Sequence, residues 1–252
     1  MQILEFGNKS NDKIILIHGF ESPYQIWEDY IDYYKKDFHV IVPILQGHNP
    51  ELKEDFISIR SSAKDIEDFY ISKYGNEVYA IYGMSMGGVI ASQLWQNKNL
   101  NISKLILESS PLLSYNKFMA SILTKNYLML THKTQQRDEK IVKQAINSII
   151  SEDKLDEFLE VLDNMSDTTI INYLDEVGKY KLPNNIDTPN TEIIYYHGTK
   201  INEMLAKKTA KYIKKYYPDS RIICFKGKGH CEDSLLNPKS MIKELNKVLV
   251  KK

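Results

Sequence analysis

The chain has few of the features that mark secreted, disulfide-rich or membrane-spanning proteins. Its 252 residues include only two cysteines, Cys224 and Cys231, which is too few for a disulfide framework and favours a reducing compartment. No apolar run approaches membrane-spanning length. The first residues lack the basic region and apolar stretch of a signal peptide. We therefore expect a cytoplasmic protein with no membrane span.

Net charge of either sign is also absent. Lys and Arg together number 33, as do Asp and Glu, so nothing favours a nucleic-acid or anionic-membrane partner. No pair of histidines and carboxylates has the spacing of metal ligands, and no G-x-x-x-x-G-K phosphate loop occurs. The sequence predicts neither a metal nor a cofactor.

Short apolar strand patterns alternate with helical patterns over most of the chain. The strand patterns cover residues 2–6, 14–17, 38–43, 78–82, 104–107, 192–196 and 221–225. Such alternation predicts an α/β protein with a mostly parallel sheet and helices on both faces. Sheets of this kind place their functional sites at the carboxyl ends of the strands.

The alternation stops between residues 112 and 180. This segment has no clear strand and four helical patterns, at residues 118–130, 139–150, 154–162 and 168–177. We interpret it as a helical cap, or lid, inserted before the penultimate strand. The core then comprises residues 1–111 and 181–252.

Gly83-Met84-Ser85-Met86-Gly87 has the G-x-S-x-G spacing of a nucleophile elbow, and a strand and a helix flank it as the motif requires. A serine at a tight strand-to-helix turn has a strained backbone, and neighbours two residues away crowd it unless they lack Cβ. The pattern predicts that Ser85 is a nucleophile.

A serine hydroxyl needs a base within hydrogen-bond reach, and the chain has six histidines. His230 follows the last strand, on a loop that Gly227 and Gly229 make flexible, and it comes after the serine in the order expected for this motif. His18 and His197 end strands but precede glycines, which favours a role in shaping loops. We predict that His230 is the base.

A tetrahedral oxyanion needs two preorganised hydrogen-bond donors. The backbone N–H of Met86, directly after the nucleophile, is one candidate. The early loop at His18-Gly19-Phe20 offers the other, the backbone N–H of Phe20.

The sequence resembles the α/β-hydrolase fold serine hydrolases, and is similar to their carboxylesterase and monoacylglycerol-lipase-like members. The resemblance covers nearly the whole chain outside the cap. The segments that carry it are Ile17-His18-Gly19-Phe20, Pro43 with Gly47-His48, Gly83-Met84-Ser85-Met86-Gly87-Gly88, Tyr196-His197-Gly198, Gly229-His230 and Asn237-Pro238. It implies cleavage of an ester-like bond through an acyl-serine, without a cofactor.

The chain departs from this family at the acid of the triad. Family members often carry it three residues after the glycine that ends the penultimate strand, where this chain has Ile201. Glu203, two residues later, is the first candidate, although a carboxylate there could simply favour the helix start. Glu108, at the end of an earlier strand, is the alternative, and a cap residue such as Asp175 or a missing acid stays open.

The function expected from these features is hydrolysis of a small-molecule carboxylic ester, such as a small acyl ester or a monoacylglycerol-like substrate. A thioesterase or a C–C bond hydrolase would use the same residues. The displaced acid leaves a further alternative, a non-catalytic ligand-binding protein on the same fold.

Overall fold

The computed structural model describes residues 1–187 and 189–249; residue 188 and residues 250–252 of the predicted core lie outside the described residues. In the described part, seven strands form one sheet. They are β1 (Gln2–Phe6), β2 (Lys13–Ile17), β3 (His39–Ile44), β4 (Glu77–Met84), β5 (Asn101–Glu108), β6 (Glu192–Gly198) and β7 (Arg221–Phe225).

The strands lie in the order β1-β3-β2-β4-β5-β6-β7. Strand β1 runs antiparallel to β3, and the other neighbouring pairs are parallel. Each of Ile14, Ile15, Leu16 and Ile17 is at most 1% exposed. Successive side chains of a strand point to opposite faces, so both faces of the sheet are covered at β2. The predicted α/β class and mostly parallel sheet are confirmed.

Ten α-helices accompany the sheet in the described residues, and none of them is long and apolar enough to cross a membrane. They are α1 (Glu28–Tyr34), α2 (Ile59–Tyr74), α3 (Met86–Asn97), α4 (Lys117–Gln135), α5 (Glu139–Ile146), α6 (Leu155–Asn164), α7 (Asp167–Lys179), α8 (Met204–Tyr216), α9 (Glu232–Leu236) and α10 (Pro238–Leu249).

Helices α4 to α7, which we call the cap helices, lie between β5 and β6 in sequence. Helix α4 packs against the other three. Helix α7 is tied to the core at Phe56, whose N–H donates to Thr169 Oγ1 (3.1 Å) and whose carbonyl accepts from Asn172 Nδ2 (2.9 Å). The two ends of the insertion meet where the N–H of Leu182 donates to the carbonyl of Leu112 (2.9 Å). A helical insertion therefore precedes the penultimate strand, as predicted.

Candidate active site

Ser85 occupies the turn between β4 and α3, at the carboxyl edge of the sheet. Its φ of 48° and ψ of −111° lie outside the regions that L-residues ordinarily adopt. A hydrogen bond of 2.8 Å from its N–H to the carbonyl of Glu108 on β5 helps to hold this strained conformation. The serine side chain remains partly accessible although its neighbours in the turn are buried.

Two glycines permit a turn this tight. A Cβ atom on Gly83 would lie 2.4 Å from the carbonyl oxygen of Gly87, and a Cβ atom on Gly87 would lie 2.1 Å from the carbonyl oxygen of Ile17. Neither separation can accommodate a side chain. The G-x-S-x-G spacing therefore reflects the close approach of α3 to the ends of β4 and β2.

His230 lies between β7 and α9, and its Nε2 atom is 2.8 Å from Ser85 Oγ. The loop is held by hydrogen bonds: the N–H of Gly229 donates to Glu232 Oε2 (2.8 Å), and the N–H of Thr199 donates to the carbonyl of Lys228 (2.8 Å). The imidazole is thus positioned by its loop, rather than free to swing as the glycines suggested. It stays 32% exposed, which leaves it open to a substrate.

Glu203 is fully buried and meets the other ring nitrogen of His230, with 2.8 Å between its Oε1 atom and Nδ1. Its Oε2 atom accepts hydrogen bonds from the N–H of Gly198 (2.7 Å) and from Ser109 Oγ (3.0 Å). Burial raises the pKa of this carboxyl, but the hydrogen bonds from His230, Gly198 and Ser109 outweigh that effect and hold the pKa below its usual value. The group is therefore ionised at neutral pH.

One 3-10 turn, Ile201–Glu203, brings this carboxylate inward. Ile201, at the position where members of the resembled family often carry the acid, is 86% exposed. The two additional residues are accommodated in that turn.

Glu108, the alternative acid, has different partners. Its carboxyl accepts hydrogen bonds from the hydroxyls of Tyr82 and Ser234. No hydrogen bond of the described residues joins it to His230. Burial raises the pKa of Glu108 to about 7. The structure thus brings Ser85, His230 and Glu203 together and leaves Glu108 in a separate hydroxyl network beneath them.

The two backbone N–H groups predicted as oxyanion donors belong to segments that adjoin Ser85. That of Met86 belongs to the first turn of α3, where N–H groups have no acceptor inside the helix. The loop that carries Phe20 lies close to Ser85: a Cβ atom on Gly19 would be 3.5 Å from Ser85 Cβ. Both segments therefore lie beside Ser85.

Two buried histidines support the loop that contains Phe20. The N–H of Leu45 donates to His18 Nε2 (3.1 Å), so the ring proton lies on Nδ1, which donates to the carbonyl of Gly19 (2.8 Å). His48 Nε2 likewise accepts from the N–H of Glu21 (3.0 Å). Burial lowers the pKa of His18 to about 4 and that of His48 to about 3, so both are neutral and act as supports.

A cavity of about 250 Å³ opens above Ser85. Phe20, Ser85 and His230 line it from the core side, while α4, α5 and α6 cover it with mainly apolar side chains such as Leu130, Ile141, Ala145, Phe158 and Leu162. The ring of Phe20 stacks on Tyr173 of α7, with 4.0 Å between ring centroids. The cap helices are therefore part of the site.

Two residues of this cavity have no signal in the sequence, Glu21 and Thr131. Glu21 adopts a φ of 59° directly after Phe20, and its carboxyl accepts a hydrogen bond from Thr131 Oγ1 (2.6 Å). They are 110 residues apart in the chain, so only the packing of α4 on the core brings them together.

Within residues 1–187 and 189–249, no group of three or more His, Cys, Asp or Glu side chains is arranged to hold a metal ion. Both cysteines are unpaired there: Cys224 is exposed, and Cys231 is buried beside His230. Burial raises the pKa of the Cys231 thiol well above its usual value, so it is a poor nucleophile.

Comparison with known proteins adds an independent finding. Residues 13–144, which are 132 of the 252, match the family defined by the alpha/beta hydrolase fold. A pimeloyl-(acyl-carrier protein) methyl ester esterase of Legionella pneumophila (strain Corby) is 22% identical over 218 residues, which cover 86% of this chain and 87% of that protein.

Two solved structures have the same fold. A carboxylesterase structure from Nitrososphaera gargenis superposes with a TM-score of 0.75 at 16% identity, covering 98% of this chain and 93% of that one. An esterase from Exiguobacterium antarcticum has a TM-score of 0.73 at 18% identity and covers 96% and 92%. At these identities the likeness shows the fold alone.

Proposed function

The chain belongs to the alpha/beta hydrolase fold family, and we propose that it is a serine hydrolase that cleaves a small carboxylic ester through an acyl-serine intermediate. The observation that carries the proposal is the hydrogen-bonded series Ser85–His230–Glu203, in which both links measure 2.8 Å. The names of the compared proteins agree with it, since they describe esterases.

In the proposed reaction, Ser85 Oγ attacks the ester carbonyl carbon while His230 Nε2 takes the serine proton. The N–H groups of Phe20 and Met86 donate to the carbonyl oxygen as it becomes an oxyanion. Collapse of this intermediate breaks the bond to the alcohol oxygen, which receives the proton from His230. Water then attacks the acyl-serine by the same route and releases the acid.

The role proposed for Glu203 follows from its environment. Because its pKa is held below the usual value, the carboxylate is negatively charged when His230 becomes an imidazolium. It also accepts from Nδ1 and so keeps Nε2 free to accept the serine proton. Glu203 therefore acts by orienting and stabilising His230.

The cavity supports a substrate of modest size. Its volume of about 250 Å³ lies below the roughly 300–1,000 Å³ typical of sites for drug-sized ligands. A short acyl ester fits such a space better than a long-chain monoacylglycerol. The apolar cover contributed by the cap helices suits an alkyl group next to the reacting carbonyl.

A fluorophosphonate label and p-nitrophenyl acetate and hexanoate test the proposal. We expect the wild-type protein to take the label and hydrolyse at least the short ester. Ser85→Ala should lose both properties, while His230→Ala should lower kcat by about 10⁶-fold and Glu203→Gln by about 10⁴-fold. Exposed Ser240 of α10 offers the matched control Ser240→Ala, which should be unchanged.

Two results would contradict the proposal. One is a wild-type protein that takes no label and cleaves neither ester. The other is labelling that persists in Ser85→Ala, because the nucleophile would then lie elsewhere. If Glu108→Gln lowered kcat as much as is expected for Glu203→Gln, Glu108 would be the acid of the triad. The rest of the proposal would stand.

A further inference from the structure

One carboxyl group in the cavity has no part in the proposed reaction. Among the cavity-lining residues of the described chain, Glu21 is the only one with a carboxyl group, and none carries a Lys or Arg side chain. Burial raises its pKa to about 7, and the hydrogen bond from Thr131 lowers it only in part. An ionised carboxylate in a mainly apolar cavity without a cation is unfavourable unless hydrogen-bond donors stabilise it.

The backbone holds Glu21 where it is. Its φ of 59° is uncommon for a residue with a side chain, and its N–H donates to His48 Nε2. The neighbouring Phe20 is anchored through its ring to Tyr127 and Tyr173, with centroid separations of 5.6 and 4.0 Å. The loop therefore presents Glu21 to the cavity that Ser85 also lines.

Among the hydrogen bonds of the described residues, Thr131 provides the one donor to the Glu21 carboxyl. Thr131 Oγ1 lies 2.6 Å from Glu21 Oε1 and 2.9 Å from the carbonyl of Tyr127. A hydroxyl has a single proton, so it cannot donate to both acceptors at once. The Glu21 carboxyl can therefore accept a hydrogen bond from a further donor, such as water or a donor group of a ligand.

The groups around Glu21 would tolerate a cation. On α4 it faces Thr131 and Tyr127, on α7 Tyr173, and in the loop after β3 His48. Burial raises the pKa values of both tyrosines above their usual value and lowers that of His48. These neighbours are all neutral at pH 7 to 8, so a positive charge there would meet Glu21 without a like charge beside it.

We infer that Glu21 determines specificity by binding a hydrogen-bond-donating group of the substrate, above all an ammonium group, on the part of the ester that enters the cavity. An ester that ends in a carboxylate is disfavoured at the same place, because two like charges would share a low-dielectric site. This inference rests on the proposed function, because the bound group belongs to a substrate only if the protein hydrolyses esters. The binding preference itself does not require hydrolysis.

The test compares three ligands of equal length, hexylammonium, hexan-1-ol and hexanoate, by calorimetry on Ser85→Ala at pH 8. We expect hexylammonium to bind at least ~10-fold more tightly than hexanoate, as a charge-assisted hydrogen bond in a buried site should produce. In Glu21→Gln, on the Ser85→Ala background, the preference should fall below about 3-fold. Glu160→Gln, which removes an exposed carboxyl on α6, should retain it.

A second variant keeps the test decisive if Glu21→Gln does not fold. Thr131→Val removes the hydrogen bond that lowers the pKa of Glu21, so the midpoint of the ammonium preference should move to higher pH. Equal binding of the three ligands, no binding of any, or a preference that survives Glu21→Gln would overturn the inference.

The ester assay separates the two failures. Suppose that the wild-type protein hydrolyses p-nitrophenyl hexanoate with a kcat/KM as high as that for p-nitrophenyl 6-aminohexanoate. In that case the inference on Glu21 is wrong and the proposed hydrolase stands. If no ester is cleaved while hexylammonium binds in a Glu21-dependent way, the proposed function is wrong and the cation site stands.

Discussion

At the scale of single residues, two buried carboxyl groups near Ser85 show how the environment decides a role. Glu203 accepts hydrogen bonds from His230, Gly198 and Ser109, and its pKa lies below the usual value. Glu108 is enclosed with hydroxyl groups and has a pKa of about 7, raised by burial. The first is ionised at neutral pH and the second holds a proton about half of the time.

Glu108 should make the protein less stable as the pH rises from about 4.5 to 7. Its pKa is about 7 in the folded state, against an ordinary value of 4.5 that we take for the unfolded chain. The folded state therefore binds more protons in this window, and the free energy of unfolding falls with rising pH. The difference between the two pKa values corresponds to roughly 3 kcal/mol.

Urea unfolding at pH 4.5 and pH 8 measures this contribution in Glu108→Gln, which stays neutral at both values. Relative to the wild type, the variant should gain about 3 kcal/mol of stability between the two pH values. Glu51→Gln, at an exposed loop position, should show no such gain. An identical pH dependence in Glu108→Gln and the wild type would contradict the prediction.

At the scale of elements, the strand ends and the cap helices contribute different parts of the site. The turns and loops after β4, β6 and β7 hold Ser85, Glu203 and His230, whereas the volume above them depends on α4, α5 and α6. Helix α5 contributes Ile141 and Ala145 to the cavity wall. Chain-length preference should therefore respond to α5 independently of the chemical step.

Ala145→Phe should shorten the acyl chain that the site accepts. The larger side chain occupies cavity volume, so kcat/KM for p-nitrophenyl hexanoate should fall at least ~10-fold, while that for the acetate should change less than about 3-fold. Ile141→Ala enlarges the cavity and should shift the preference toward the longer chain.

Lys140→Ala, at an exposed position of the same helix, is the matched control and should leave both values unchanged. Stopped assays with the two esters provide the measurement. If Ala145→Phe lowered kcat/KM equally for both esters, α5 would not form a wall of the acyl site.

At the scale of the whole molecule, the balance of 33 basic and 33 acidic side chains leaves no net charge at pH 7. Electrostatic repulsion between molecules is therefore weakest near neutral pH. The solubility should pass through a minimum there and rise by pH 5 and pH 9. Static light scattering across this range measures the effect, and a solubility maximum at pH 7 would contradict it.

The sequence by itself determined the sheet, the insertion and the positions of Ser85 and His230 relative to strand ends. These features depend on short-range rules: β-branched apolar runs such as residues 14–17 form buried strands, and glycines two residues either side of Ser85 allow a tight turn. Each rule acts within a few residues, so it can be read from the order of the amino acids.

Only the tertiary structure decided which carboxylate meets His230 and what else faces the cavity. Glu203 turns inward because the 3-10 turn after β6 exposes Ile201 instead, and Glu108 is taken by Tyr82 and Ser234. Glu21 reaches Thr131 only through the packing of α4 on the core. These contacts join residues from 26 to 126 positions apart, and no local pattern specifies which distant side chains a folded chain brings into contact.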